Sequence, residues 1–165
     1  MATVLALVLA GVVAARVVRA DGGTGAEGLV GAWRGKVQFT SGAFASVKDL
    51  QFLYVFNAGG TMTESSNYDG SPPVPPAYGV WRKVGERKYE AKYEYFMSRP
   101  PKGIDDLTSG GGWAPGGRGI LLEKMTLAAD GRSYTATIRY DAFDTAGEAT
   151  EIGSTAQVRA ERVQF

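Results

Sequence analysis

The chain has 165 residues, a formal net charge of +1, and neither Cys nor His. That length allows one domain with a sizeable core, and the near-neutral balance offers no basic surface for nucleic acid. Without Cys there are no disulfides, thiolate nucleophiles, zinc–thiolate or iron–sulfur centres, or cysteine-anchored lipids, and without His the usual general base, the commonest metal ligand and a proximal haem ligand are gone.

The first segment is "MATVLALVLAGVVAA", an apolar run short for a spanning helix. Val18 and Ala20 then stand at the −3 and −1 positions of a signal-peptidase site, with cleavage after Ala20. No Lys or Arg precedes the apolar run, so an uncleaved anchor helix and a misassigned start remain as alternatives to an export signal over 1–20. Export implies a periplasmic or secreted protein. Without it the chain is cytoplasmic, and a membrane is a partner only if 1–20 is retained. "DGGTGAEG" (21–28) reads as a flexible linker, so the folded domain is expected over 29–165.

Eight segments then read as strands, at 32–39, 49–57, 61–68, 78–84, 88–97, 118–128, 132–143 and 151–165. In the first, Trp33, Gly35, Val37 and Phe39 share a face opposite Arg34, Lys36 and Gln38. In the second, Leu50, Phe52, Tyr54 and Phe56 share one. "AGG" (58–60), "GER" (85–87) and "ADG" (129–131) are tight turns. "DGSPPVPPA" (69–77) holds four prolines and reads as a stiff loop. In "RKYEAKYEYF" (87–96), Tyr89, Ala91, Tyr93 and Tyr95 alternate with Glu90, Lys92 and Glu94. "RSYTATIRYDAF" places Tyr134, Ala136, Ile138 and Tyr140 on one face, and the last segment does the same for Val158, Ala160 and Arg162. One connection is long: the Gly- and Pro-rich 98–119, with Trp113 in its middle, docked over the barrel mouth or tucked against the outer wall. Sequential strands with short turns predict an all-β fold, an eight-stranded antiparallel up-and-down β-barrel whose closure removes the sheet edges. A short apolar N-terminal helix or signal segment precedes it.

Gly31-x-Trp33 at the opening of the first strand and Arg162 on the last resemble the calycin (lipocalin-like) pattern. In that pattern the tryptophan at the closed end of the barrel is covered by an arginine from the final strand. "FNAGGTMTE", "GVWRKVGERKYEAKYEYF" and "MTLAADGRSYTATI" are similar to the hairpins of short bacterial lipocalin-like domains. The resemblance spans about Leu29 to Val163 and gives Gly31, Trp33 and Arg162 structural roles; the long glycine-rich loop departs from it. The lack of His argues against the haem-binding, nitrobindin-like branch.

The expected inward set is Trp33, Val37, Phe39, Phe52, Tyr54, Phe56, Met62, Trp81, Tyr89, Tyr93, Tyr95, Met125, Ile138, Tyr140 and Val158. Tyrosine hydroxyls among apolar walls suit a small hydrophobic or aromatic ligand; the alternative is a solid core in which the hydroxyls pair. The ligand-binding candidates are Phe52, Tyr54, Phe56, Glu64, Trp81, Tyr93, Tyr95, Trp113, Glu123 and Tyr140. Glu64 and Glu123 fall on inward parity, where Arg82, Lys124 or a tyrosine would have to meet them; a one-residue slip would put either in solvent. Together with Tyr93 they are the catalytic candidates for a second reading, a cofactor-independent cyclase or isomerase. A third reading is an interaction module, with Leu53, Val55, Ile120 and Leu122 on the outer face serving a homodimer or a covering segment. No metal and no cofactor is expected. Asp105-Asp106 and Asp141/Asp144 lack metal-site spacing, and "GGGWAPGG" follows no strand–helix phosphate arrangement.

Overall fold

The computed structural model describes residues 28–70, 74–105 and 112–165. The apolar segment 1–20 and nearly all of the 21–28 linker lie outside the described residues. The strands are β1 (Gly31–Phe39), β2 (Gln51–Phe56), β3 (Thr61–Ser66), β4 (Ala77–Gly85), β5 (Lys88–Arg99), β6 (Ala114–Leu127), β7 (Ser133–Phe143) and β8 (Ala149–Arg162). Each pairs antiparallel with its neighbour in sequence, and β1 closes on β8 from Trp33↔Arg162 to Phe39↔Ala156. The fold is an all-β, closed, eight-stranded up-and-down barrel.

The alternation in the sequence maps onto the pleat. Every residue of the expected inward set is buried except Tyr95, which is half-buried against the core. Leu29 is fully buried and its carbonyl accepts Trp33 Nε1–H at 2.8 Å, so the domain is anchored from its first described residues.

The long connection is shorter than the sequence suggests. β5 continues to Arg99 and β6 starts at Ala114, with Ser98↔Pro115 and Arg99↔Ala114 paired beyond a bulge at Met97/Ser98. Two of the glycines that read as loop, Gly116 and Gly117, are strand residues in close backbone contact. A Cβ at Gly117, whose φ is 119°, would overlap the Phe143 carbonyl, and one at Gly116 would crowd the backbone of Ser98 and Arg99.

The turns 57–60, 85–88 and 128–132 gather at one end of the barrel, and Arg162 seals it. Its guanidinium lies 4.2 Å from the Trp33 ring centroid and donates to the carbonyls of Gly131 (3.1 Å), Val30 (2.7 Å) and Gly28 (2.6 Å). Gly31, with φ 131°, leaves room for the guanidinium: a Cβ there would stand 2.7 Å from Nη1. One side chain thus ties the segment that leads into β1, the β6–β7 turn and the last strand together. Arg162→Ala is expected to cost about 2–4 kcal/mol in urea unfolding, and Arg162→Lys to recover less than half, because a point ammonium cannot serve three carbonyls while stacking on an indole. Equal stability of Arg162→Lys and wild type would contradict this role.

Candidate functional site

Strand direction sorts the inward side chains by depth. Toward the sealed end the interior is solid. The Trp33 and Tyr134 rings meet at 5.1 Å, Phe56 packs edge-on to Trp81 at 6.1 Å, and Trp81 meets Tyr89 at 5.9 Å. Trp81 Nε1–H is held by the Asn57 carbonyl at 3.0 Å.

One level up lies a buried polar cluster. Glu123 on β6 is only 1% exposed, and Tyr93 donates its hydroxyl to Glu123 Oε2 at 2.9 Å. Gly79, directly across from Tyr93, makes room for that side chain. Burial pushes the Glu123 carboxyl up to about 7, opposed by the tyrosine hydroxyls that approach it, Tyr93 first and Tyr54 next. Tyr54 acts on the carboxyl by proximity, yet its hydroxyl completes no hydrogen bond of normal geometry. Glu123 Oε1 and the Tyr134 hydroxyl are likewise buried without a hydrogen-bond partner among the described residues. Burial also raises Tyr54, Tyr93 and Tyr134, so all three stay protonated donors.

The other end of the barrel holds a cavity of about 210 Å³. Its walls are inward side chains of β1, β2, β5, β6 and β7, chiefly Phe39, Phe52, Tyr95, Leu121 and Tyr140. The β1–β2 loop contributes Phe44, whose ring packs 5.4 Å from Phe39 and 5.9 Å from Tyr140. That loop is gathered by Gln38, which donates to the carbonyls of Ala45 and Val47. The β3–β4 loop supplies Tyr68, Asp69, Val74 and Pro75. It is braced by Asn67, which bonds Gln51 N–H and the Asp49 carbonyl, and by Asp69, which accepts from Ser66 N–H and Oγ–H, both at 2.6 Å. Tyr95 and Tyr140 share a hydroxyl–hydroxyl bond of 2.9 Å, and the Tyr95 ring lies flat over Gly119, where any Cβ would overlap it.

Glu64 on β3 links the two levels. It lines the cavity, is 6% exposed, and its Oε1 has no hydrogen-bond partner among the described residues. Burial raises its pKa well above the usual carboxylate value, and the charges of Asp69 and Glu123 add to that.

Of the ligand-binding candidates, Phe52, Glu64, Tyr95 and Tyr140 line the cavity. Tyr54, Tyr93 and Glu123 lie in the layer beneath it, while Phe56 and Trp81 belong to the solid end. Trp113 is exposed and outside the lining, so it does not cover the mouth. Gly31, Trp33 and Arg162 meet at the seal. Both acidic candidates point inward, so the solvated alternative does not hold. Their expected cationic partners do not reach them: Arg82 pairs with Glu90 at 2.8 Å on the outside, and Lys124 is exposed. Leu53, Val55 and Leu122 are exposed as expected, but β2 and β6 stand four strands apart, so these residues occupy opposite sides of the barrel rather than one patch. Phe44 and Asp69 escaped sequence reasoning because they sit in loops, where period-two parity says nothing; an aromatic isolated in "SGAFASVKD" was the one signal available.

A closed eight-stranded barrel of this kind is compatible with holding a small ligand. No known family model matches the chain, and no curated protein matches it.

The buried Glu123 makes stability pH-dependent. Its folded pKa of about 7 lies above the unfolded carboxylate value, so the folded state holds the proton more tightly. Its contribution is therefore best at acid pH and is lost as pH rises from about 4.5 to about 7, by roughly 3 kcal/mol in all. Glu123→Gln keeps an acceptor for Tyr93 without a charge. Melting curves from pH 5 to 8 are expected to show a falling Tm for wild type, a flatter profile for Glu123→Gln, and a variant several degrees more stable at pH 8. A variant less stable at pH 8 would show that the buried charge is stabilised in a way this geometry does not contain.

Proposed function

We propose that the chain binds a small hydrophobic or aromatic molecule in the cavity at the open end of the barrel. The observation that carries this reading is the juxtaposition of apolar walls with one carboxyl, Glu64, whose Oε1 has no hydrogen-bond partner among the described residues. A solid core would leave no open space beside that carboxyl. At about 210 Å³ the cavity is below the common range of roughly 300–1,000 Å³, so the occupant is compact rather than a long acyl chain. The eight-stranded meander and the Arg162–Trp33 contact support a lipocalin-like protein, and export of the mature barrel goes with that reading.

A second reading, a cofactor-independent cyclase or isomerase in the same cavity, is favoured by one observation. Glu64 lies in the cavity wall, and burial raises its pKa, so it can hold a proton and exchange it with a bound molecule. Tyr93 and Glu123 sit below the lining, so on this geometry the acid–base role falls to Glu64. A bound compound recovered unchanged after prolonged incubation argues for the carrier; its conversion by wild type but not by Glu64→Gln argues for the enzyme.

Calorimetric titration with small terpenoid and phenylalkyl alcohols is expected to give one-to-one saturation by at least one of them. Leu121→Trp, which fills the cavity, should weaken it at least tenfold, whereas Leu122→Trp, the next residue on the outer face, should leave it unchanged. No saturation by any compound, or equal loss in both variants, contradicts a binding cavity at this place.

A further inference from the structure

Among the described residues that line the cavity, the charged ones are all acidic. Among its lining residues Glu64 and Asp69 are acidic and none is Lys or Arg. The titratable groups that act on or are acted on by Glu64 are Asp69, Glu123, Tyr54, Tyr93, Tyr95 and Tyr134, again with no cation. Asp69 is already served by Ser66 N–H and Oγ–H. The Tyr95 and Tyr140 hydroxyls serve each other. Among the described residues Glu64 Oε1 is left without a hydrogen-bond partner.

The rest of the wall is aromatic. Phe39, Phe44, Phe52, Tyr95 and Tyr140 surround the space, and Tyr68 stands at its rim. Ring faces attract cations, most strongly where water is excluded. A buried carboxylate needs a partner of opposite charge, and the described residues that line the cavity supply none. An anionic ligand would meet two acidic groups with nothing to compensate it. A neutral alcohol would satisfy Glu64 with one hydrogen bond and use neither the ring faces nor the charge.

We infer that the occupant of this cavity is a compact hydrophobic amine, whose ammonium group sits among the aromatic rings and pairs with Glu64. This rests on the binding reading above and names its ligand class. The cation is the missing counter-charge: with it bound Glu64 is ionised, and without it Glu64 tends to hold a proton. Binding therefore releases a proton from the protein. An alkylamine stays protonated to about pH 10, so affinity rises with pH until Glu64 is ionised in the free protein.

Phenylbutylamine, phenylbutanol and phenylbutyrate share one hydrocarbon body and differ in the charge of the head group. Titrated calorimetrically into the full protein at pH 8, the amine is expected to bind at least tenfold more tightly than the alcohol, with the acid weakest. The amine's advantage should shrink as the pH falls to 5, and in Glu64→Gln the amine should drop to the level of the alcohol. If Glu64→Gln fails to fold, the pH profile of the wild-type protein decides alone. Equal affinity for amine and alcohol at every pH overturns the amine assignment and leaves the binding reading standing, as does tightest binding of phenylbutyrate. If none of the three saturates, the assignment falls together with the reading beneath it.

Discussion

Everything in this barrel depends on how its one sealed end is made. Arg162 arrives from the last strand, covers the Trp33 ring of the first, and donates to carbonyls of the segment that leads into β1 and of the β6–β7 turn. A guanidinium suits this place because it combines a flat stacking face with several donors in one plane. β1 and β8 also close the sheet, so no edge is left exposed. With one end plugged by Trp33 and Arg162, the interior is reached from the other, where the long loops lie. The site's location follows from this seal before any lining residue is considered.

Between seal and mouth the interior changes character in a graded way. The lower part is a close-packed set of aromatic rings. The middle holds a buried carboxyl bonded by one tyrosine with two more hydroxyls nearby. The upper part holds a cavity walled by six rings and two acidic residues, Glu64 and Asp69. A buried Glu123 is tolerated because it can be neutral, and protonation costs little where the raised pKa, about 7, lies near the ambient pH. Glu64 faces the same burial but borders open space, so a ligand can change its charge state. The two acids thus divide into one that shapes the core and one that is available for chemistry.

The sequence shows which side chains point inward far better than it shows where they lie along the axis. The alternation in "RKYEAKYEYF" places Tyr89, Ala91 and Tyr93 in the core, as observed. Parity alone makes Phe52 and Phe56 equivalent, yet four residues of strand separate them by about 13 Å, enough to put one in the cavity wall and the other in the plug. Gly116, Gly117 and Gly119 read as loop because glycine is depleted from strands. Here their missing side chains admit a neighbouring backbone or the Tyr95 ring. Loops gave the least: Phe44 reaches the cavity through the path of its backbone, for which local patterning carries no signal. The Arg162–Trp33 contact was expected only from the resemblance of Gly31-x-Trp33 and Arg162 to the calycin pattern; alternation along single strands does not pair them.

The most direct test of the account is to find where in the barrel a ligand sits. A sample labelled at the methyl groups of Met, Leu and Val, titrated with phenylbutanol, would be followed by nuclear magnetic resonance. The account requires large shifts at Leu50, Met97 and Leu121, which border the cavity, and small ones at Met125 and Leu127 near the seal. Shifts confined to Leu53, Val80 and Leu122 on the outer wall, or no shifts in any methyl group, would contradict it.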